Sequence, residues 1–151
     1  MEIIENQKGD VSIFKLNGRL DSNTSPALEK KLVAAIENGT RNMVIDFENL
    51  DYISSAGLRI ILKTTKDLKR TDGHIVLCAM QDYVREVFEI AGFDAFLPIV
   101  SDMEQALKDE NERYRSRQGE ISTLIEGNTL NRLKKEIDKL KAQRTQGLLF
   151  S

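Results

Sequence analysis

The stretch Asp46-Phe47-Glu48-Asn49-Leu50-Asp51-Tyr52-Ile53-Ser54-Ser55-Ala56-Gly57-Leu58 decides the fold, because apolar strand sequence runs there into a polar turn that opens a helix. On its amino-terminal side, Met43, Val44 and Ile45 with Phe47 read as a short buried strand. On its carboxyl-terminal side, Leu58, Ile61, Leu62, Thr65 and Leu68 recur at the spacing of an amphipathic helix. Between them stand two hydroxyls, Ser54 and Ser55, followed by the small residues Ala56 and Gly57. One of the two serines is expected to cap the helix by accepting a hydrogen bond from a first-turn amide.

Ile3 and Ile4, then Val11, Ile13, Phe14 and Leu16 around Lys8-Gly9-Asp10, predict a β-hairpin whose second strand alternates in period two. Gly18-Arg19-Leu20-Asp21-Ser22-Asn23-Thr24 reads as a polar connection, and Ser25-Pro26 as a helix start with serine as cap and proline at the first helical position. Leu28, Leu32, Ala35 and Ile36 form that helix's buried stripe, and Asn38-Gly39 ends it. Beyond the central helix, Arg70 to Gly73 turns the chain into a strand at Ile75-Val76-Leu77. Asp82 is the expected cap of a helix with Val84, Val87, Phe88 and Ala91 on its apolar face, stopped by Gly92-Phe93. Phe96 to Val100 predicts a last short strand, and Ser101-Asp102 opens a helix bearing Met103, Ala106 and Leu107. Strands alternating with helices imply parallel crossovers, and the opening hairpin adds antiparallel pairing. The expected fold class is α/β, a mixed β-sheet opened by a hairpin and flanked by helices, with a carboxyl-terminal helical extension. The loops Leu20 to Thr24 and Ile53 to Gly57 are expected to be neighbours on the edge where open α/β sheets bind ligands.

Three motifs carry a family resemblance. Leu50 to Leu58 is similar to the phosphorylation-site signature of STAS-domain anti-sigma factor antagonists, whose usual form is aspartate, the acceptor serine, serine or threonine, then Gly-Leu. On that form Ser55 takes the acceptor position, Ala56 the second small residue, and Ser54 replaces the aspartate, which leaves Ser54 as the second choice of acceptor. Gly18 to Thr24 and Val84 to Phe93 match in family order and spacing, so the resemblance spans roughly Met1 to Asn111. It implies a STAS-like fold and a non-enzymatic regulator of partner switching. Unphosphorylated, such a protein binds a histidine-kinase-like serine kinase that doubles as an anti-sigma factor, which frees the sigma factor. Phosphorylated on Ser55 it lets go, until a PP2C-type phosphatase removes the phosphate. The partner surface implied for this chain comprises Asp21, Ser22, Asn23, Thr24, Ser54, Ala56, Gly57, Leu58 and Arg59. In plainer terms Asp21 is a turn former, Thr24 a polar neighbour of a helix cap, Arg59 a solvated helix residue, and the serines fill a tight turn.

Composition limits the other classes. The chain has 151 residues, 40% of them hydrophobic, enough for one domain with a real core and an appendage. One cysteine and one histidine rule out a zinc cluster, and Cys78 within Ile75 to Ala79 reads as a buried strand position. No segment approaches the ~20 apolar residues of a membrane span, and the acidic start Met1-Glu2-Ile3-Ile4-Glu5 lacks the basic region of a secretory signal. A cytoplasmic setting is expected. His74 has no second histidine or cysteine for a dyad, and neither a phosphate-binding loop nor a dinucleotide fingerprint is present, so no cofactor is expected and any ATP used on Ser55 must come from a partner.

Charge is unevenly placed. Thirteen of the 22 Lys/Arg and twenty of the 24 Asp/Glu lie in Met1–Glu112, leaving an acidic body and a basic tail. The acidity argues against direct nucleic-acid binding by the body. The expected domains are therefore 1–112, STAS-like, and 113–151, a basic helical tail. In the tail Leu130, Leu133, Ile137 and Leu140 fall at spacings of three, four and three, an a/d seam for a short coiled coil. That seam serves a homodimer, a docking contact, or packing back on the body. The resemblance leaves two other classes open: a constitutive STAS binding or scaffold module, and a partner switch acting on a non-sigma effector. A small hydrolase is disfavoured by the missing base and phosphate loop.

Overall fold

The computed structural model describes residues 1–110, together with 138 and 139. By contacts the chain divides into Met1–Glu110 and Asn111–Ser151. In order, the first unit contains β1 (Glu2–Lys8), β2 (Val11–Leu20), α1 (Ser25–Glu37), β3 (Asn42–Ile53), α2 (Ser55–Arg70), β4 (His74–Cys78), α3 (Asp82–Ile90), a 3-10 turn (Phe93–Ala95) and β5 (Ile99–Val100). A further helix, α4, begins at 103 and continues to 110.

The five strands form one sheet in chain order, β1 to β5. Only the β1–β2 pair is antiparallel. The hairpin turn is two residues long, since Lys8 pairs with Val11, and Gly9 supplies the positive φ of 60° that such a turn requires. Both sheet faces are covered over β2, β3 and β4, while β1 is exposed except at the partly buried Ile3. Phe14, Leu16, Leu20, Ile45, Phe47, Leu50, Ile53 and Leu77 pack under Leu28 and Leu32 of α1, Leu58, Ile61 and Leu68 of α2, and Val84 and Phe88 of α3. At about 1.5–3 kcal/mol for each large side chain taken out of water, this layer is the main source of stability. On the other face Val11, Ile13, Val44, Val76 and Cys78 pack with Ala106, flanked by Met103 and Leu107. His74 Nε2 lies 3.6 Å from Glu110 Oε1, joining β4 to α4.

The central strand is longer than its sequence indicates. The expected short strand at Met43 to Phe47 extends to Ile53, and the expected connection at Gly18 begins as strand, with Leu20 fully buried at the end of β2. Two bulges explain this. Lys15 and Asn17 face Asp46 and Asn49, and Gly18 and Arg19 face Leu50 and Tyr52, so β3 carries one extra residue at each place. The buried positions Phe47, Leu50 and Ile53 are therefore three apart instead of two, while the residues between them are polar. Because β4 pairs with β3 only as far as Asp46, residues 47–53 run on beside β2 alone for roughly 20 Å at ~3.3 Å per residue. The Gln81 Nε2 amide donates to the Glu48 carbonyl at 2.7 Å, where the next strand would have bonded.

Other expectations are corrected at element ends. Ser25 is the first residue of α1 and Thr24 holds the cap position, without a side-chain cap bond, because the Thr24 hydroxyl is engaged inside its own loop. Gln81 holds the cap position of α3, and Asp82 is already helical, an acidic residue in the first turn where the helix dipole favours it. Ala91, expected on the apolar face of α3, is exposed. The last strand shrinks to Ile99–Val100, since Phe93 to Ala95 forms the 3-10 turn and Phe96 is 46% exposed. Asp102 does cap the helix it precedes, its Oδ1 accepting from the Gln105 amide at 2.8 Å. The tail seam of Leu130, Leu133, Ile137 and Leu140 lies outside the described residues.

Candidate functional site

The carboxyl ends of β2 and β3 form the site. Leu20 pairs with Ile53 as the last rung of the ladder, and the Ser54 amide donates to the Leu20 carbonyl at 2.9 Å. The loops that follow the two strands are thus tied together by backbone, as their placement on one sheet edge anticipates.

The first loop, 21–24, is held by its own polar groups. Asp21 Oδ1 accepts from the amides of Asn23 at 2.9 Å and Thr24 at 3.1 Å. The Thr24 hydroxyl accepts from the Asp21 amide at 2.9 Å and donates to the Arg19 carbonyl at 2.8 Å. Ser25, buried, adds a third tie, its Oγ donating to the Asp21 carbonyl at 2.6 Å. The Thr24 amide above all, with help from the Asn23 amide, the Thr24 hydroxyl and the Arg19 charge, holds the Asp21 carboxyl below its ordinary value against an opposing push from desolvation. Ser22 and Asn23 are exposed at the loop tip.

In the second loop the two serines separate by role. Ser54, half-buried and extended in backbone (φ −95°, ψ 174°), is the N-cap of α2, its Oγ accepting from the Gly57 amide at 3.3 Å. Ser55 is the first helical residue and is exposed. With the amides of Ser54 and Gly57 bonded, those of Ser55 and Ala56 are the first-turn donors left without a protein partner among the described residues. A helix start with free donors and a positive dipole end accommodates an anion. Ala56 is half-buried, Gly57 and Leu58 are buried and shape the turn from beneath, and Arg59 is exposed one turn along α2 from Ser55. Gly57 is required by space, because a Cβ there would stand 2.8 Å from Leu20 Cγ and 2.9 Å from Ile53 Cγ1.

The fold also pairs two residues that lie within the motifs but outside the expected partner surface. Arg19 and Tyr52 face each other at the second bulge, and the guanidinium lies 4.2 Å from the centre of the Tyr52 ring. Only the strand register shows this, since the two are far apart in the chain.

The family model described as the STAS domain matches residues 2–106. The chain belongs to the STAS domain family. Its curated relatives are anti-sigma factor antagonists, and it falls among them. BtrV of Bordetella bronchiseptica, named as a candidate anti-sigma factor antagonist, is 44% identical over 91 residues, which cover 60% of this chain and 78% of that one. The anti-sigma-B factor antagonist of Staphylococcus aureus is 35% identical over 78 residues, 52% of this chain and 72% of that one. Among solved structures, SpoIIAA, an anti-sigma factor antagonist, shares the fold in its unphosphorylated form with TM-score 0.58 and 22% identity, covering 76% of this chain and 98% of that one. SpoIIAA of Bacillus in its phosphorylated form gives TM-score 0.59 and 21% identity, with 72% and 98% covered. Among the described residues of this STAS domain, no group of three or more His, Cys, Asp or Glu side chains could hold a metal ion, and no helix is long and apolar enough to cross a membrane.

Proposed function

We propose that this anti-sigma factor antagonist is a phosphorylation-controlled partner switch whose acceptor is Ser55. The observation that carries the reading is the division of labour between the serines: Ser54 is committed to the helix cap, while Ser55 is exposed at the helix start. SpoIIAA supports it by analogy, having been solved in both phosphorylated and unphosphorylated forms.

In its unphosphorylated form the chain binds a histidine-kinase-like serine kinase that doubles as an anti-sigma factor, and the sigma factor is released. The chain is a binding protein and carries no phosphate-binding loop of its own, so the kinase brings the ATP. The Ser55 oxygen attacks the γ-phosphorus, the new O–P bond forms as the bond to ADP breaks, and a base of the kinase takes the hydroxyl proton. The product carries nearly two negative charges and three acceptor oxygens. The free amides of Ser55 and Ala56 and the dipole of α2 can receive that charge without unfolding the helix. A partner seated on the turn instead meets a dianion where it had met a hydroxyl and loses affinity through repulsion and desolvation. A PP2C-type phosphatase resets the cycle, and all of these partners meet the chain in the cytoplasm.

Intact-mass and peptide mass spectrometry of the protein recovered from its own cells tests the reading. One phosphate on Ser55 supports it. Phosphate on Ser54 moves the acceptor by one residue, and none under any growth condition leaves a constitutive binding module.

A further inference from the structure

We propose that Arg19 and Tyr52 form the recognition pair with which this domain selects its kinase, the Arg19 guanidinium receiving a carboxylate on the kinase surface; this rests on the partner-switch reading.

The pair is built, not incidental. Without the second bulge Arg19 would face Asp51; the extra residue in β3 places it opposite Tyr52 instead. Gly18, just before the bulge, adopts φ 109°, a conformation unfavourable for any other residue. Leu20 and Ile53 point into the core, so Arg19 and Tyr52, one residue earlier on each strand, project from the opposite sheet face. They do so immediately beside the acceptor turn, since the next rung ends in the Ser54–Leu20 hydrogen bond.

Both side chains remain accessible. Tyr52 is 41% exposed, and the Arg19 side chain 61%. Stacking on Tyr52 and a 3.9 Å approach of its Nε to Asp21 Oδ2 fix the guanidinium, and among the described residues no hydrogen bond takes up its donors. A planar cation already fixed in orientation, with its fork of N–H groups free, matches the two oxygens of a carboxylate. Because the stack has already ordered the arginine, docking costs less side-chain entropy. Arginine and tyrosine are also the residue types that most often dominate interface energies.

The test uses the full chain and the Ser55 kinase purified by its activity from the cells that make it, with ATP labelled on the γ-phosphate. Arg19→Ala should raise the half-saturating concentration of the chain about tenfold with the maximal rate unchanged. Arg19→Glu should raise it about a hundredfold by setting like charges together. Arg19→Lys should not restore binding, because an ammonium lacks the planar fork. Tyr52→Ala should share the arginine defect, and Tyr52→Phe, which restores the ring, should rescue it. The unfolding midpoint of Arg19→Ala should match wild type. Unaltered half-saturation in Arg19→Ala and Arg19→Glu, with wild-type Ser55 phosphorylated normally, overturns the recognition pair and leaves the switch standing. A defect in Arg19→Ala that follows a lowered midpoint and is rescued by lysine also overturns it, by making the role structural. No phosphorylation of wild-type Ser55 overturns both proposals.

Discussion

Gly57 rests against Leu20 with no room for a side chain, a Cβ there falling 2.8 Å from Leu20 Cγ. The contact sets how closely α2 starts against the end of β2. Gly57→Ala gains up to about 1 kcal/mol in helix propensity, but crowding a packed contact costs about 1–3 kcal/mol. The Ile53 contact at 2.9 Å blocks retreat in a second direction, so the crowding should win. Urea denaturation should show a net loss on the order of 1 kcal/mol. A stabilised variant would mean that α2 can shift without cost.

The two serines should respond differently to removal of their hydroxyls. Ser54→Ala deletes the acceptor for the Gly57 amide and should lower stability by about 1 kcal/mol. Ser55→Ala breaks no hydrogen bond found among the described residues and should leave the unfolding free energy within about 0.5 kcal/mol of wild type. Under the proposed switch, Ser55→Ala abolishes phosphorylation while Ser54→Ala retains it, and phosphopeptide analysis of both variants checks this. Ser55→Asp should weaken kinase binding, as titration calorimetry would show.

Asp21 gives a pH signature. Its folded-state pKa is depressed from the ordinary 3.8, so its charged form favours folding. That contribution is fully present above the unfolded value and is lost as the pH falls through the lower folded value. Asp21→Asn keeps an oxygen acceptor for the Asn23 and Thr24 amides but cannot titrate. Stability measured from pH 6 to pH 2 should therefore fall less steeply in the variant, with the difference confined to the acid side of about pH 4. Parallel curves would assign the acid sensitivity to other carboxylates.

Cys78 should be inert. It is fully buried, and desolvation, aided by the negative charge of Asp46 and its neighbours, pushes its thiol up to about 12. Iodoacetamide at pH 8 should leave the native protein unmodified and label one site in denaturant, as read by intact mass. Labelling at equal rates in both conditions would mean that the β4 side of the sheet opens readily.

Much of this architecture is legible in the sequence, because hydrophobic spacing reports burial directly. The hairpin, α1, α2 and the order of crossovers follow from Val11 to Leu16, Leu28 to Ile36 and Leu58 to Leu68. The sequence fails at β3, where the bulges put Phe47, Leu50 and Ile53 three apart and place Glu48, Asn49, Asp51 and Tyr52 on exposed strand positions, so the pattern imitates a turn. Motif and turn chemistry indicate Asp21, Thr24 and both serines, but which serine caps depends on backbone geometry that either could adopt. The contact of Arg19 with Tyr52 depends on a register set by those bulges, and no local signal encodes it.

The hydrogen bond from Ser54 to Leu20 locks two loops into one small patch, and that patch limits traffic. If Ser55 is the acceptor, as proposed, an enzyme that writes on it and one that erases the mark must each stand on that patch, so they take turns. Neither can wait on the other's complex. Under the proposed switch, the modified fraction then reflects the relative abundance and affinity of the competing visitors, and the protein works as a ballot between them with a single seat.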